Sequence, residues 1–175
     1  MFIREEQPGD RGQVRKVNEA AFGRTDEADL IDRLRTAGDI LLSLVAELDS
    51  AESDNAEAGS VVVGHILFSR MFVEAARGSV PAVSLAPMSV LPDHQNHGVG
   101  SRLVSEGLAQ LRVRGECIVI VLGHRHFYPR FGFSQEMARS LASPFPPDAY
   151  MALELCNGAL EGVRGAVRYS AAFGL

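Results

Sequence analysis

"LAPMSVLPDHQNHGVGSRLV", Leu85 to Val104, joins an apolar, strand-like run to a helical pattern and puts Gln95, Gly98 and Gly100 at the junction. Glycine near a helix start costs helix stability, so two of them in three residues need a geometric reason. An anion supplies one. First-turn amides have no intrahelical acceptor, the helix dipole adds positive character there, and a backbone without side chains lets a phosphate approach closely. The candidate cradle is therefore the backbone of Gln95, Asn96, His97, Gly98, Val99, Gly100 and Ser101. Local charge agrees, because Glu106 is the sole acidic residue between Gln95 and Arg114, and Arg102 lies near the helix start. "GVGSRL" has leucine where a dinucleotide loop needs its third glycine, and no GxxxxGK[ST] run exists, which turns the reading away from dinucleotides and nucleoside triphosphates.

Upstream of the junction, Pro87 interrupts "AVSLAPMSVL". Proline cannot donate a ladder hydrogen bond, so a bulge or an edge is expected there, with the strand splaying from its neighbour. Downstream, Leu103, Val104, Leu108 and Leu111 recur at helical spacing, and "CIVIVL" follows as a strand. A strand, a helix and a strand in that order predict a parallel pair joined by a crossover.

The flanks extend the pattern. "FIREEQ" reads as a strand; Val14, Val17, Ala20 and Ala21 mark one helix; Ala28, Ile31, Leu34 and Ala37 mark a second, with Thr25 or Asp26 as cap and Gly38 as stop. "ILLSLVAEL" and "SVVVGHILFSR" are β-rich and separated by "DSAESDNAEAG", whose small, polar and acidic residues predict a solvated connection. "MFVEAA" is a further apolar run, followed by the turn-like "RGSVP". "HRHFYPRFGF" reads as a short helix or turn, "SPFPPDAY" as a rigid surface loop, and "AYMALEL" and "GAVRYS" finish the sheet. The expected fold class is α/β (α+β): one domain over 1–175, with a mixed, mostly antiparallel central sheet, a splayed strand pair and helices on both faces.

Composition narrows the function classes. The 175 residues are 46% apolar and 22% charged, which suits one globular unit. A net charge of −5 argues against a broad nucleic-acid-binding face. No run approaches the roughly 18 apolar residues of a membrane span, and the N-terminus lacks a signal-peptide core, so a cytoplasmic location is expected. Cys117 and Cys156 are too few for a disulfide framework; Cys117, beside "IVIVL", reads as a buried structural thiol. His65 reads as a hydrogen-bonded histidine in an apolar strand. His124 and His126 lack a complementary acidic or cysteine cluster, so no metal is expected.

"LAPMSVLPDHQNHGVGSRLV" resembles the acetyl-CoA-binding segment of the GCN5-related N-acetyltransferase (GNAT) superfamily, whose pattern [RQ]xxGx[GA] is met by Gln95, Gly98 and Gly100. "FYPRFGF", Phe127 to Phe133, is similar to the superfamily's second signature, a tyrosine followed closely by Gly-Phe. "AFGRTDEADLIDRLR", "AYMALEL" and "GAVRY" extend the likeness to a bacterial predicted-acetyltransferase subgroup over most of the chain. The resemblance implies acetyl-CoA as cofactor and direct transfer of an acetyl group to a primary amine, without an acyl-enzyme intermediate. It implies that the splayed strand offers the backbone of Met88, Ser89 and Val90 to the pantetheine arm, that Phe127 lies at the cofactor, and that Tyr128 protonates the departing thiolate. Glu27, on a helix that borders the acceptor site in this superfamily, is the first candidate base and Glu74 the second, with a water relay as the alternative. A homodimer is common among similar proteins. The competing reading is a non-catalytic acyl-CoA-binding or regulatory domain. The acceptor is a small-molecule or peptide amine that the sequence does not name.

Overall fold

The computed structural model describes residues 1–48 and 60–175, and the acidic connection read at 49–59 lies outside the described residues. The strands are β1 (Phe2–Glu5), β2 (Ile40–Leu48), β3 (Val61–Ala75), β4 (Gly78–Val90), β5 (Ile118–Leu122), β6 (Leu141–Ala142), β7 (Tyr150–Glu154) and β8 (Gly165–Arg168). The helices are α1 (Arg11–Phe22), α2 (Asp26–Ala37), α3 (Val99–Val113) and the single turn α4 (Gln135–Ala138). Among the described residues the strands form one mixed sheet in the order β1-β2-β3-β4-β5-β7, with β8 pairing β3 and β6 off that path. The α/β expectation is met. "SVVVGHILFSR" and "MFVEAA", read as separate runs, are one strand: nothing in Arg70–Met71 breaks an extended backbone, and the chain turns only at residues 76–77.

The chain divides into two compact units, Met1–Leu67 with Pro87–Gly107 and Phe68–Ala86 with Leu108–Leu175. In the first, β1 pairs antiparallel with β2, and α1 buries Val14 and Val17 while α2 buries Ala28, Ile31 and Leu34. Both helices stop where glycine takes a left-handed conformation, at Gly23 (φ 69°) and Gly38 (φ 75°), as the sequence predicted for Gly38. Arg4 fastens the entry to α1, reaching Asp10 at 2.6 Å and also bonding Glu47 on β2. Arg15 reaches from α1 to Asp29 on α2 at 2.8 Å.

In the second unit β5 pairs parallel with β4 over Val83–Leu85 and antiparallel with β7 along its whole length. The parallel crossover predicted from the strand-helix-strand order is present. The β4–β5 register ends at Leu85, two residues before Pro87, where the sequence placed the departure. A core of Met71, Val73, Ala82, Ile118, Ile120 and Tyr150 lies under these strands.

One reading of the cysteines is corrected. Cys117 is not a free buried thiol; it is joined to Cys156 in a disulfide, 39 residues away in sequence. The β5–β7 ladder decides this, because Ile118 faces Glu154 and the Leu155 amide donates to the Cys117 carbonyl at 2.8 Å, which brings the two cysteines to neighbouring positions. Closing a loop of that length removes unfolded-state entropy equivalent to about 4 kcal/mol. Reduction, or the double substitution Cys117→Ser and Cys156→Ser, is therefore expected to lower the urea midpoint markedly. An unchanged midpoint in reducing buffer would contradict the contribution.

Candidate active site

At the end of β4, Pro87, Ser89 and Val90 are buried and Met88 is half-buried. The Ser89 hydroxyl is buried without a hydrogen-bond partner among the described residues. A short 3-10 turn, Pro92–His94, follows, closed by the His94 amide on the Leu91 carbonyl at 2.8 Å and extended by the Gln95 amide on the Pro92 carbonyl at 3.2 Å. The Gln95 side chain folds back and donates to the Val90 carbonyl at 3.1 Å, so it braces the loop against the strand it leaves.

From there the backbone takes conformations that ordinary residues avoid. Asn96 has φ 63°, and among the described residues no other non-glycine is positive; Gly98 has φ 84°. Asparagine and glycine tolerate the left-handed region best, which accounts for these residue types at these places. The Arg102 amide bonds the Gly98 carbonyl at 3.0 Å, which makes Gly98 the residue before the first turn of α3. Val99 and Gly100 then open the helix with amides for which it holds no acceptor. Gln95, Asn96, His97 and Gly98 are exposed, so these amides stand beside a surface loop.

What seats this helix start is a residue the sequence reading passed over. A Cβ on Gly64, in β3, would lie 2.9 Å from Val99 Cγ1 and 3.0 Å from Leu103 Cδ1. Glycine at 64 lets α3 lie against the strand with Val99 buried. A glycine inside an otherwise continuous apolar strand was the available signal.

On β3, His65 is fully buried, its Nδ1 3.2 Å from Asn18 Nδ2 and its Nε2 2.9 Å from Ser43 Oγ. The Ser43 hydroxyl in turn bonds Glu6 at 2.5 Å, and Glu6 meets Arg35 at 2.7 Å. Asn18 donates through Nδ2, so Nδ1 accepts and the proton sits on Nε2, in a neutral ring. Burial above all, with the nearby Arg35 charge, pushes the His65 pKa down to about 3. A histidine depressed below its unfolded value of about 6.5 contributes stability that is complete above that pH and is lost as pH falls towards 3. Between pH 7 and pH 5 the loss is about 2 kcal/mol, in a window where carboxylates contribute little. Urea unfolding at both pH values checks it, with His65→Gln expected to flatten the slope.

In the second unit, "HRHFYPRF" forms a 3-10 turn over Tyr128–Phe131, with the Phe127 amide on the His124 carbonyl at 2.9 Å and Gly132 (φ 93°) as its left-handed stop. Tyr128 is 5% exposed. Its ring lies on the backbone of Gly123, where a Cβ would come within 2.2 Å of ring carbon Cε2. Phe127, half-buried, and Phe133 both present edge-on contacts to Tyr128, with ring centroids 5.0 and 5.6 Å away. Burial pushes the Tyr128 pKa up to about 12, so the hydroxyl keeps its proton throughout the neutral range.

The two candidate bases are both engaged. Glu27 is held on α2 by Arg24, whose Nε lies 3.1 Å from Oε2, and this bonding keeps its carboxyl below the usual range. Glu74 is bonded by Ser79 and by Arg168, the latter at 2.6 Å, and is lowered in the same way. A lowered pKa makes each a weaker base than a free glutamate. Among the described residues no helix is long and apolar enough to cross a membrane.

Known proteins share this fold. A family profile described as an acetyltransferase (GNAT) domain matches residues 43–135. The uncharacterized N-acetyltransferase YhbS of Escherichia coli (strain K12) is 32% identical over 171 residues, 97% of this chain and 96% of that protein. The uncharacterized N-acetyltransferase YjhQ of the same strain is 38% identical over 126 residues, 71% of this chain, and the match spans 64% of YjhQ. Among solved structures, Escherichia coli YhbS in complex with CoA has a TM-score of 0.86 at 30% identity, covering 99% of this chain and 92% of that one. A GNAT family acetyltransferase from Brucella melitensis, solved with acetyl-CoA, has a TM-score of 0.77 at 34% identity, covering 98% and 97%. With nearly its whole length shared with YhbS and more than half of it matched by the GNAT profile, the chain belongs to the GNAT acetyltransferase superfamily.

Proposed function

We propose that the protein is an acetyl-CoA-dependent N-acetyltransferase that passes the acetyl group directly to a primary amine, with Tyr128 as general acid. The observation that carries this is the exposed Gln95–Gly98 loop, whose left-handed Asn96 and Gly98 lead into a helix start with spare amides. Amides of that kind suit a diphosphate, and both solved relatives named above hold CoA or acetyl-CoA.

The residues present fit that ligand. The backbone of Gln95 to Ser101 would hold the diphosphate. Past Leu85 the end of β4 leaves its register with β5, and there Met88, Ser89 and Val90 would pair with the pantetheine amides as a further strand does. Bound acetyl-CoA supplies the thioester. The neutral amine nitrogen forms a bond to the thioester carbonyl carbon as the carbon–sulfur bond breaks. The proton lost by the amine goes to water, consistent with Glu27 and Glu74 being held by arginines. Tyr128 gives its proton to the sulfur and regains one from solvent, so the products are an N-acetyl amide and free CoA. A backbone amide aimed at the developing oxyanion is worth about 2.7–4 kcal/mol in comparable acyl transfers.

Calorimetric titration with CoA, ATP and NAD tests the reading, followed by thiol release from acetyl-CoA across a panel of amines. CoA is expected to bind in preference to the nucleotides and thiol to appear with amine present. Binding of ATP or NAD without CoA would overturn it, and CoA binding with no transfer to any amine would leave a binding module.

A further inference from the structure

We propose that an open cavity of about 1090 Å³ in the second unit is the acceptor pocket, and that it takes a free α-amino acid with an aromatic side chain. The proposal rests on the transferase reading above and narrows its acceptor.

The floor of the cavity is apolar. Phe133, Leu141, Tyr150 and Met151 line it, and none is more than 4% exposed. Phe145 closes one side, its ring edge-on to Tyr169 at 5.6 Å. A floor of this kind removes an aromatic body from water, as small-molecule pockets do. The Tyr150 hydroxyl is buried, without a hydrogen-bond partner among the described residues.

The rim carries one unneutralised charge of each sign. Arg139 is paired with Glu136 at 2.7 Å, whereas the exposed side chains of Arg125 and Asp148 meet no ion-pair or hydrogen-bonding side chain among the described residues. A guanidinium matches a carboxylate through two parallel hydrogen bonds, and a carboxylate attracts an ammonium. An α-amino acid offers both groups on one carbon. Its amine also titrates below a lysine side chain, so it needs less help from a base, and both candidate bases are held by arginines.

The cavity adjoins the proposed acid within the same unit. Phe133, on the floor, touches the Tyr128 ring edge-on. Gly123, on whose backbone that ring rests, donates its amide to the Ala149 carbonyl at 2.9 Å, between the rim residue Asp148 and the floor residue Tyr150.

Wild-type protein is first titrated with acetyl-CoA; no binding would overturn the transferase reading before any acceptor is added. Thiol release is then measured with phenylalanine, phenylalaninamide, glycine and spermidine. Phenylalanine is expected to exceed each of the others in kcat/KM by about tenfold or more, and Arg125→Glu to erase its advantage over the amide. The proposal is overturned if a protein that binds acetyl-CoA uses glycine or spermidine as well as phenylalanine, uses none of the amines, or still prefers phenylalanine to its amide after Arg125→Glu.

Discussion

Tyr128→Phe is expected to lower kcat about a hundredfold or more while leaving the acetyl-CoA dissociation constant nearly unchanged, the range for losing a positioned general acid if Tyr128 acts as proposed. The phenyl ring keeps its packing on Gly123, Phe127 and Phe133, so the fold loses only a hydroxyl. Against a thiol of pKa about 8.5, a tyrosine at its ordinary value of about 10 faces an uphill transfer of roughly 2 kcal/mol. Burial changes that figure, because raising the Tyr128 pKa to about 12 makes the step uphill by roughly 5 kcal/mol against an unperturbed thiol. A thiolate released into a water-poor site is itself made more basic by the same desolvation. What burial secures is protonation: the acid form persists to high pH, and Tyr128 contributes no alkaline loss of kcat below about pH 10. Stopped-time thiol assays from pH 6 to 10 check both points, and unchanged turnover in the phenylalanine variant removes the assignment.

Gly98→Val is expected to weaken CoA binding by about a hundredfold or more, close to 3 kcal/mol. A β-branched residue at φ 84° is strained. Relief moves the backbone just ahead of the first amides of α3, and a Cβ added there would stand with no protein atom within 4 Å, in the space proposed for the ligand. Gly38→Val is the control. It imposes the same kind of strain at φ 75°, also in open space, at the end of α2. Comparable loss of thermal stability in both variants, with loss of CoA affinity in Gly98→Val alone, is the expected pattern; equal CoA affinity in the two would sink the diphosphate assignment.

Periodicity and punctuation made most of the elements readable. A second helix ending at Gly38, a glycine-marked start to α3, and a departure of β4 near Pro87 all follow from local backbone physics, and local physics is what a sequence records directly. The unusual backbone of the Gln95–Gly98 loop had a local signal for the same reason. Gly98 was singled out, and the left-handed Asn96 beside it needs no distant contact to explain it. The contribution of Gly64 was not legible, because a close approach of helix to strand is a property of the pair.

The roles of polar residues were the least visible. Glu27 looked like a free carboxylate on a helix, yet Arg24, three residues before it, holds it and lowers its pKa. His65 was read correctly as hydrogen-bonded within a strand, whereas its partners, Asn18 on α1 and Ser43 on β2, come from elements separated along the chain.

From the order of residues alone came most of the element types, the glycine-marked entry to α3 and the departure of β4 from its neighbour near Pro87, since each depends on φ, ψ and hydrogen bonds within a few neighbours. Tertiary structure decided which strand lies beside which, and with it the union of Cys117 with Cys156, the burial that keeps Tyr128 protonated and the pairing that restrains Glu27. Those properties depend on what surrounds a group in space, and a side chain's surroundings are set only when remote segments close around it.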